Sequence, residues 1–261
     1  MKPNQLGREV AASTKISVRG LNKVFHRKHD ELQVLSDVDL DVRTGEFVCL
    51  LGPSGCGKST FLNIVGGFEV PTSGTVEVDG ARVSGPDKKR VFVFQEYGIF
   101  PWATAWDNVA LGLHDRPKAE QERITRHYVE LVGLNGFETS FPHELSGGMR
   151  QRVALARALA VSPDIVLMDE PLGALDSLTR LQMRAELLRL WRSERMTILF
   201  VTHDVDESIQ LADRIVVMTA RPGRIAEIVT VPMEHPRDVG SAEYGRIKNR
   251  LYDLLGVNHA V

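Results

Sequence analysis

The sequence predicts an α/β layer fold with a largely parallel sheet. Three observations point there. Short apolar runs alternate with stretches of helical periodicity along most of the chain. One run, Glu46-Phe-Val-Cys-Leu-Leu51, passes directly into Gly52-Pro-Ser-Gly-Cys-Gly-Lys-Ser-Thr60 and then into the helical pattern Phe61 to Val65. A second continuous run, Ile165-Val-Leu-Met168, ends in Asp169-Glu170. That places two carboxylates at a strand's carboxyl end, where open α/β sheets bind ligands.

Each element follows from local pattern. Met1 to Ser13 carries no periodicity and reads as a loose tail. Lys15 to Gly20 alternates like a half-buried strand. Phe25 and a charged turn, His26 to Glu31, come next. Val34 to Val42 alternates again, with Val38, Leu40 and Val42 on one face. Thr44-Gly45 turns into the strand Glu46 to Leu51. Gly66-Gly67 stops the following helix. Pro71 to Gly74 is a turn, Thr75 to Asp79 a strand, and Asp79-Gly80 a hairpin signal. Val91 to Phe94 is a short buried strand running into Gln95.

The texture then changes. Trp102 to Leu113 and Ala119 to Val132 are helical in pattern, the second with Ile124, Tyr128, Leu131 and Val132 at helical spacing. Gly133 and Gly136 break the pattern, and Pro142 to Gly148 is a loop opening onto a helix, Met149 to Ala160. Residues 96–160 therefore read as a mostly helical insertion. Strand Ile165 to Met168 follows, then helix Leu178 to Trp191 with Leu181, Leu188 and Trp191 spaced along it. Strand Thr197 to Val201, helix Val205 to Ala212 and strand Arg214 to Met218 come next. After a turn at Pro222-Gly223, Ile225 to Val231 is a strand. Ser241 to Leu255 places Tyr244, Ile247, Leu251 and Leu254 on one helix face, which predicts packing on the body.

The 261 residues suffice for one large domain or two modest ones. With Lys+Arg 32 against Asp+Glu 34, the net charge of −2 gives no electrostatic case for binding nucleic acid. No apolar run has the length of a membrane span. The N-terminus lacks the apolar core of a signal peptide, so the chain is expected in the cytoplasm. Cys49 reads as a buried strand residue. Cys56 lies inside the glycine-rich turn, which argues against a structural disulfide. Oxidation of Cys56 is one reading of its position; an inert small residue is the simpler one.

Gly52 to Thr60 matches G-x-x-x-x-G-K-[ST] in the context that motif needs. Gly52, Gly55 and Gly57 let the backbone wrap closely, with Pro53, Ser54 and Cys56 between them. The helix beginning near Gly57 adds unpaired N–H groups and the positive end of its dipole. Lys58 offers an ammonium to the outer phosphates, and Ser59 a hydroxyl to Mg²⁺. The alternative is a glycine-rich turn that binds nothing. Asp169 is the expected metal carboxylate, and Glu170 the general base for an attacking water. Two acids merely capping a strand would explain them too, but not their pairing with a phosphate loop.

With these motifs in place, the chain resembles the nucleotide-binding subunit of an ATP-binding cassette (ABC) transporter over nearly its whole length. Leu145-Ser-Gly-Gly-Met149 resembles that family's signature, with Met in place of the usual Gln. The resemblance implies a P-loop NTPase core with a mostly parallel sheet, an N-terminal antiparallel β subdomain and a helical insertion. It implies a single ATPase domain over 14–240, with its helical subdomain at 96–160, and an amphipathic C-terminal helix within 241–261. ATP and Mg²⁺ are the implied cofactors. Two subunits would pair head to tail, so that Ser146, Gly147 and Gly148 of one cover the nucleotide on the other's phosphate loop.

Residue by residue, the resemblance assigns Gln95 to Mg²⁺ and the attacking water. Ala174-Leu-Asp176 becomes a loop contacting the dimer partner. His203 would bond the γ-phosphate and orient Glu170. Phe25 would stack on adenine, although a core role suits it equally. Large apolar residues at Tyr97, Ile99, Phe100, Trp102 and Trp106 are expected to divide between core and a surface receiving a membrane permease subunit. The Phe-Pro-Trp form at Phe100 to Trp102, with Thr219-Ala-Arg-Pro-Gly-Arg-Ile225, resembles the nitrate/sulfonate/taurine importer branch. That implies a permease, a periplasmic or surface substrate-binding protein as separate chains, and a position on the inner face of the membrane. The rivals are a soluble cassette acting on DNA or ribosomes, and an ATP-binding scaffold that does not hydrolyse. The absence of heptads and basic excess weighs against the first, and Glu170 with His203 against the second.

Overall fold

The computed structural model of the chain describes residues 13–27, 30–94, 98–173 and 175–257. Its strands form two sheets. The first is antiparallel and contains β1 (Thr14–Arg27), β2 (Asp30–Arg43), β4 (Ser73–Val78) and β5 (Ala81–Arg82), in the order β2-β1-β4-β5. The second contains β3 (Phe47–Leu51), β6 (Arg90–Val93), β7 (Ile165–Asp169), β8 (Thr197–Thr202), β9 (Arg214–Met218) and β10 (Ile225–Thr230), in the order β10-β9-β3-β8-β7-β6. All its pairings are parallel except β10 with β9. The helices are α1 (Lys58–Gly66), α2 (Ala105–Ala110), α3 (Lys118–Leu131), α4 (Gly147–Ala160), α5 (Ser177–Glu194), α6 (Val205–Leu211) and α7 (Ala242–Leu254).

The parallel strands read as unbroken apolar runs because both faces are covered. Every residue of β3, β7 and β8 is buried. Alternation along β3 divides the core in two. Phe47, Cys49 and Leu51 join one cluster with Val153, Leu187 and Ile209, on the side of α4, α5 and α6. Val48 and Leu50 join the other with Val38, Leu40 and Phe61, on the side of α1 and the antiparallel sheet. The helices α2, α3 and α4 follow one another between β6 and β7. The C-terminal helix α7 buries Tyr244, Ile247 and Leu251. Tyr244 Oη and Lys248 Nζ both donate to the Asp206 carboxylate of α6, at 2.9 and 2.8 Å.

Several boundaries differ from the sequence reading. β1 runs on to Arg27, well past Gly20, because register shifts around Val18, Leu21 and Lys23 break its alternation. Of the charged turn expected at His26 to Glu31, Lys28 and His29 lie outside the described residues and the other four are strand. His26 pairs with Glu31 across the ladder, Nδ1 to Oε1 3.2 Å, and Arg27 pairs with Asp30. The helix expected from Trp102 begins at Ala105. Thr104 caps it by accepting the Asp107 N–H at 3.1 Å, and only one 3₁₀ turn, Leu111–Leu113, follows it. In α5 the buried stripe is Met183, Leu187 and Leu190, whereas Leu181 is exposed. Leu188 and Trp191 pack, partly buried, against the same core, so the apolar spacing holds at the C-terminal end of α5 and fails at its exposed start. The loop expected before α4 holds a 3₁₀ turn, Pro142–Glu144, and α4 starts two residues early, at Gly147. The turn Asp79-Gly80 joins β4 to β5 as predicted, with φ of 51° and 75°.

Candidate active site

Three adjacent parallel strands bring the predicted chemistry together at their carboxyl ends. β3 delivers the phosphate loop, β7 delivers Asp169 and Glu170, and β8 between them delivers His203. The loop could not carry larger residues at two of its glycines. A Cβ on Gly52 would stand 2.8 Å from the Met218 carbonyl oxygen. Gly57 has φ 104° and a Cβ there would meet Leu35 Cδ2 at 2.7 Å. Gly57 is also the N-cap of α1, and no described side chain caps that helix end. The first-turn N–H groups are thus available to an anion, with the dipole behind them.

Lys58 is buried, and its ammonium donates to the Gly52 and Pro53 carbonyl oxygens at 2.7 and 3.0 Å. It is held inside the loop and aimed by it. Cys56 is fully buried, which favours the inert reading over oxidation. Burial pushes the Cys49 thiol well up, and both cysteines are free.

Burial also raises the Asp169 carboxyl above the ordinary aspartate range. A hydrogen bond with Ser59 opposes that rise, the Glu170 charge adds to it, and Lys58 opposes it. Ser59 and Asp169 are thus near enough to influence one another, as partners in one cation site would be. Their donors are all oxygen, and the described residues contain no group of three or more His, Cys, Asp or Glu suited to a metal. That set fits Mg²⁺, which takes one or two protein oxygens and completes its shell with phosphate and water.

Glu170 sits in the left-handed region at φ 47°, rare for a side chain of its kind. Its N–H donates to the Val201 carbonyl at 3.1 Å, so β8 holds it there. Its Oε2 lies 3.3 Å from His203 Nδ1. Strained backbone at a carboxylate that meets a histidine is a recurring mark of function.

A cavity of about 510 Å³ opens over the loop, lined by Phe25, Val34, Ser54, Lys58, Thr60 and Glu170 among others. Phe25 is half-buried on its wall, with Lys23 Nζ 4.7 Å from the ring centroid. It touches core and cavity at once. Ser146, Gly147 and Gly148 do not line this cavity. Ser146 instead caps α4, accepting the Met149 N–H at 3.2 Å, and is exposed. Asp176 caps α5 through the Leu178 and Thr179 N–H groups. Its bond with Thr179 holds its carboxyl below the usual range. Gln95, Tyr97 and Ala174 lie outside the described residues. Ile99 and Trp106 pack on the core, whereas Trp102 is 74% exposed.

Two features escaped the sequence reading. Arg221 lines the same cavity and donates to the Gly55 carbonyl. Arg180 donates to the Leu172 and Leu175 carbonyls of the loop after Glu170. Both arginines act through backbone contacts that no spacing rule reports.

The fold and this constellation define a nucleoside-triphosphatase of the phosphate-loop class. Comparison with known proteins narrows that class. A family profile described as ABC transporter matches residues 35–173. An ABC transporter ATP-binding protein of Methanocaldococcus jannaschii is 45% identical over 97% of this chain and 96% of its own length. The aliphatic sulfonates import ATP-binding protein of Bacillus cereus is 42% identical over 90% of this chain and 94% of its own. The nitrate import ATP-binding protein of Synechococcus elongatus is 43% identical over 90% of this chain and 89% of its own. A solved dimeric ATP-binding cassette, in a post-hydrolysis state bound to ADP and Pi, superposes with a TM-score of 0.77. It is 32% identical and covers 84% of this chain and all of its own. The chain belongs to the ABC transporter family and carries that family's ATPase domain.

Proposed function

We propose that the chain hydrolyses ATP as one half of a head-to-tail pair and thereby drives a membrane permease that imports nitrate, a sulfonate, taurine or a similar small solute. The observation that carries this reading is the divided site. The phosphate loop and Glu170 line one cavity, His203 meets Glu170 beside it and Asp169 ends the adjacent strand, while Ser146 to Gly148, the second anion-binding helix start, belong to none of these contacts. A copy of the chain facing the first would supply them. The dimeric relative bound to ADP and Pi supports that arrangement. The sulfonate- and nitrate-import relatives support the solute class and the coupling to a permease.

In this scheme the amides of Ser54 to Thr60 and the Lys58 ammonium bind the phosphate chain. Ser59 and Asp169 would hold Mg²⁺, with Gln95 as a further ligand, and the cation would neutralise charge on the phosphates. Glu170 takes the proton of the attacking water. His203 fixes the Glu170 carboxylate through its 3.3 Å contact and reaches the terminal phosphate. The partner's Ser146 N-cap and its helix dipole close over that phosphate. Phe25 offers a ring to the base. Positioning and charge neutralisation thus supply the catalysis. The cassette occupies 14–240 with its helical part at 96–160, and Trp102 marks the surface met by the permease. The subunit works at the cytoplasmic face of the membrane, fed indirectly by a substrate-binding protein.

Co-expression with a candidate importer permease tests the proposal. The expected result is a membrane complex whose vesicles take up sulfonate, taurine or nitrate only with ATP. Recovery of the chain with ribosomes or DNA and no permease would refute it.

A further inference from the structure

The turn between β9 and β10 is built against the phosphate loop. Gly223 donates to the Val34 carbonyl at 2.8 Å and accepts the Ser36 N–H at 3.0 Å, which pins the turn to β2. A Cβ on Gly223 would lie 2.0 Å from the Cys56 carbonyl oxygen, so only glycine allows this approach. Inside the turn, Thr219 N donates to Arg224 O at 2.9 Å and Thr219 Oγ1 to Pro222 O at 3.2 Å. The backbone carrying Arg221 is therefore held from both sides.

From that fixed turn the Arg221 guanidinium reaches the loop. Its Nε and Nη2 donate to the Gly55 carbonyl at 3.3 and 3.2 Å. Its Nη1 amino group and second Nη2 proton are not used there. Among the described residues Arg221 forms no ion pair, and the one carboxylate on the cavity wall, Glu170, faces His203. A side chain so placed is a fork of charged donors on the rim of a phosphate cavity, already oriented and without an anion of its own.

We infer that Arg221 is a nucleotide-binding residue, which places a second cation on the phosphate chain from outside the loop while Lys58 works from within. This inference rests on the reading that the cavity holds the nucleotide. The Arg221 bond to Gly55 O also ties the loop to the turn between β9 and β10.

The test compares Arg221→Gln and Arg221→Lys in the full chain, measuring ATP, ADP and AMP by competition against a fluorescent ATP analogue. Arg221→Gln is expected to weaken ATP and ADP roughly ten-fold, as loss of a charge-assisted contact does, and AMP about two-fold. Arg221→Lys keeps the charge and is expected to recover most of the loss. Arg221 is exposed, so neither variant should disturb folding. ATP affinity within two-fold of the unmodified chain in both variants would overturn the inference. An equal loss for all three nucleotides would overturn it too, by showing support of the loop without phosphate contact. If the unmodified chain fails to bind ATP, the nucleotide-site reading falls first and this inference with it.

Discussion

Replacing Gly57 by alanine should deform the phosphate loop while leaving the domain folded. At φ 104° an L-residue meets a penalty of about 1–2 kcal/mol. The new methyl would also stand 2.7 Å from Leu35 Cδ2 and 3.1 Å from Val34 Cγ1 and the Val34 carbonyl oxygen. Leu35 is fully buried and cannot swing aside, so overpacking adds roughly 1–3 kcal/mol. The combined loss, roughly 2–5 kcal/mol, is less than the upper range of domain stability. Gly80→Ala is the matched control. Its φ is 75° but nothing lies within 4 Å of the added carbon, so only the backbone penalty applies. Denaturant unfolding of both variants isolates the contact term, expected at roughly 1–3 kcal/mol. ATP affinity should fall at least ten-fold in Gly57→Ala, because the loop amides are re-aimed, and stay unchanged in Gly80→Ala. Equal stability of the two variants, with ATP binding intact in both, would refute the reasoning.

Three other changes probe the site's supports. Glu207 is buried, accepts from Thr202 Oγ1 beside His203, and faces Arg184 at 3.4 Å. Glu207→Ala leaves that guanidinium with Asp204 as its one remaining carboxylate beside the Gln210 amide, and should cost about 2–3 kcal/mol in denaturant unfolding; a midpoint equal to the unmodified chain's would contradict this. His203→Ala should bind ATP within about three-fold but lower turnover roughly 100-fold or more, since the orientation of Glu170 and one neutral contact to the terminal phosphate are lost. Turnover within a few-fold would remove His203 from the mechanism. Burial, with the charges of Arg237 and Arg192, pushes the His235 imidazole down to about 4. The unfolded chain then takes up this proton first. The stability it contributes is complete above about pH 6.5 and lost as pH falls towards 4, by no more than about 3 kcal/mol given its partial exposure. His235→Gln should flatten stability between pH 7 and 4.5; an unchanged pH slope would assign that loss elsewhere.

The parallel sheet was legible because burial on both faces writes β3, β7 and β8 as plain apolar runs. The loop, Asp169 and Glu170 were legible because they sit at the ends of those runs. His203 needed the resemblance, since one histidine after a strand carries no pattern of its own. The second half of β1 was hidden by its register shifts, which erase the alternation a reader looks for. Arg221 and Arg180 were hidden because they speak to backbone carbonyls, and only tertiary structure brings Gly55, Leu172 and Leu175 to them.

The divided site is tested most directly by Glu170→Gln on a sizing column, with and without Mg-ATP. The loop still binds nucleotide in that variant, but the water is not activated, so the closed pair should accumulate. A dimer that forms only with ATP, with hydrolysis lowered roughly 100-fold or more, is the predicted result. A variant that stays monomeric with ATP and hydrolyses it at the unmodified rate would contradict both the role of Glu170 and the sharing of Ser146 to Gly148 between two copies.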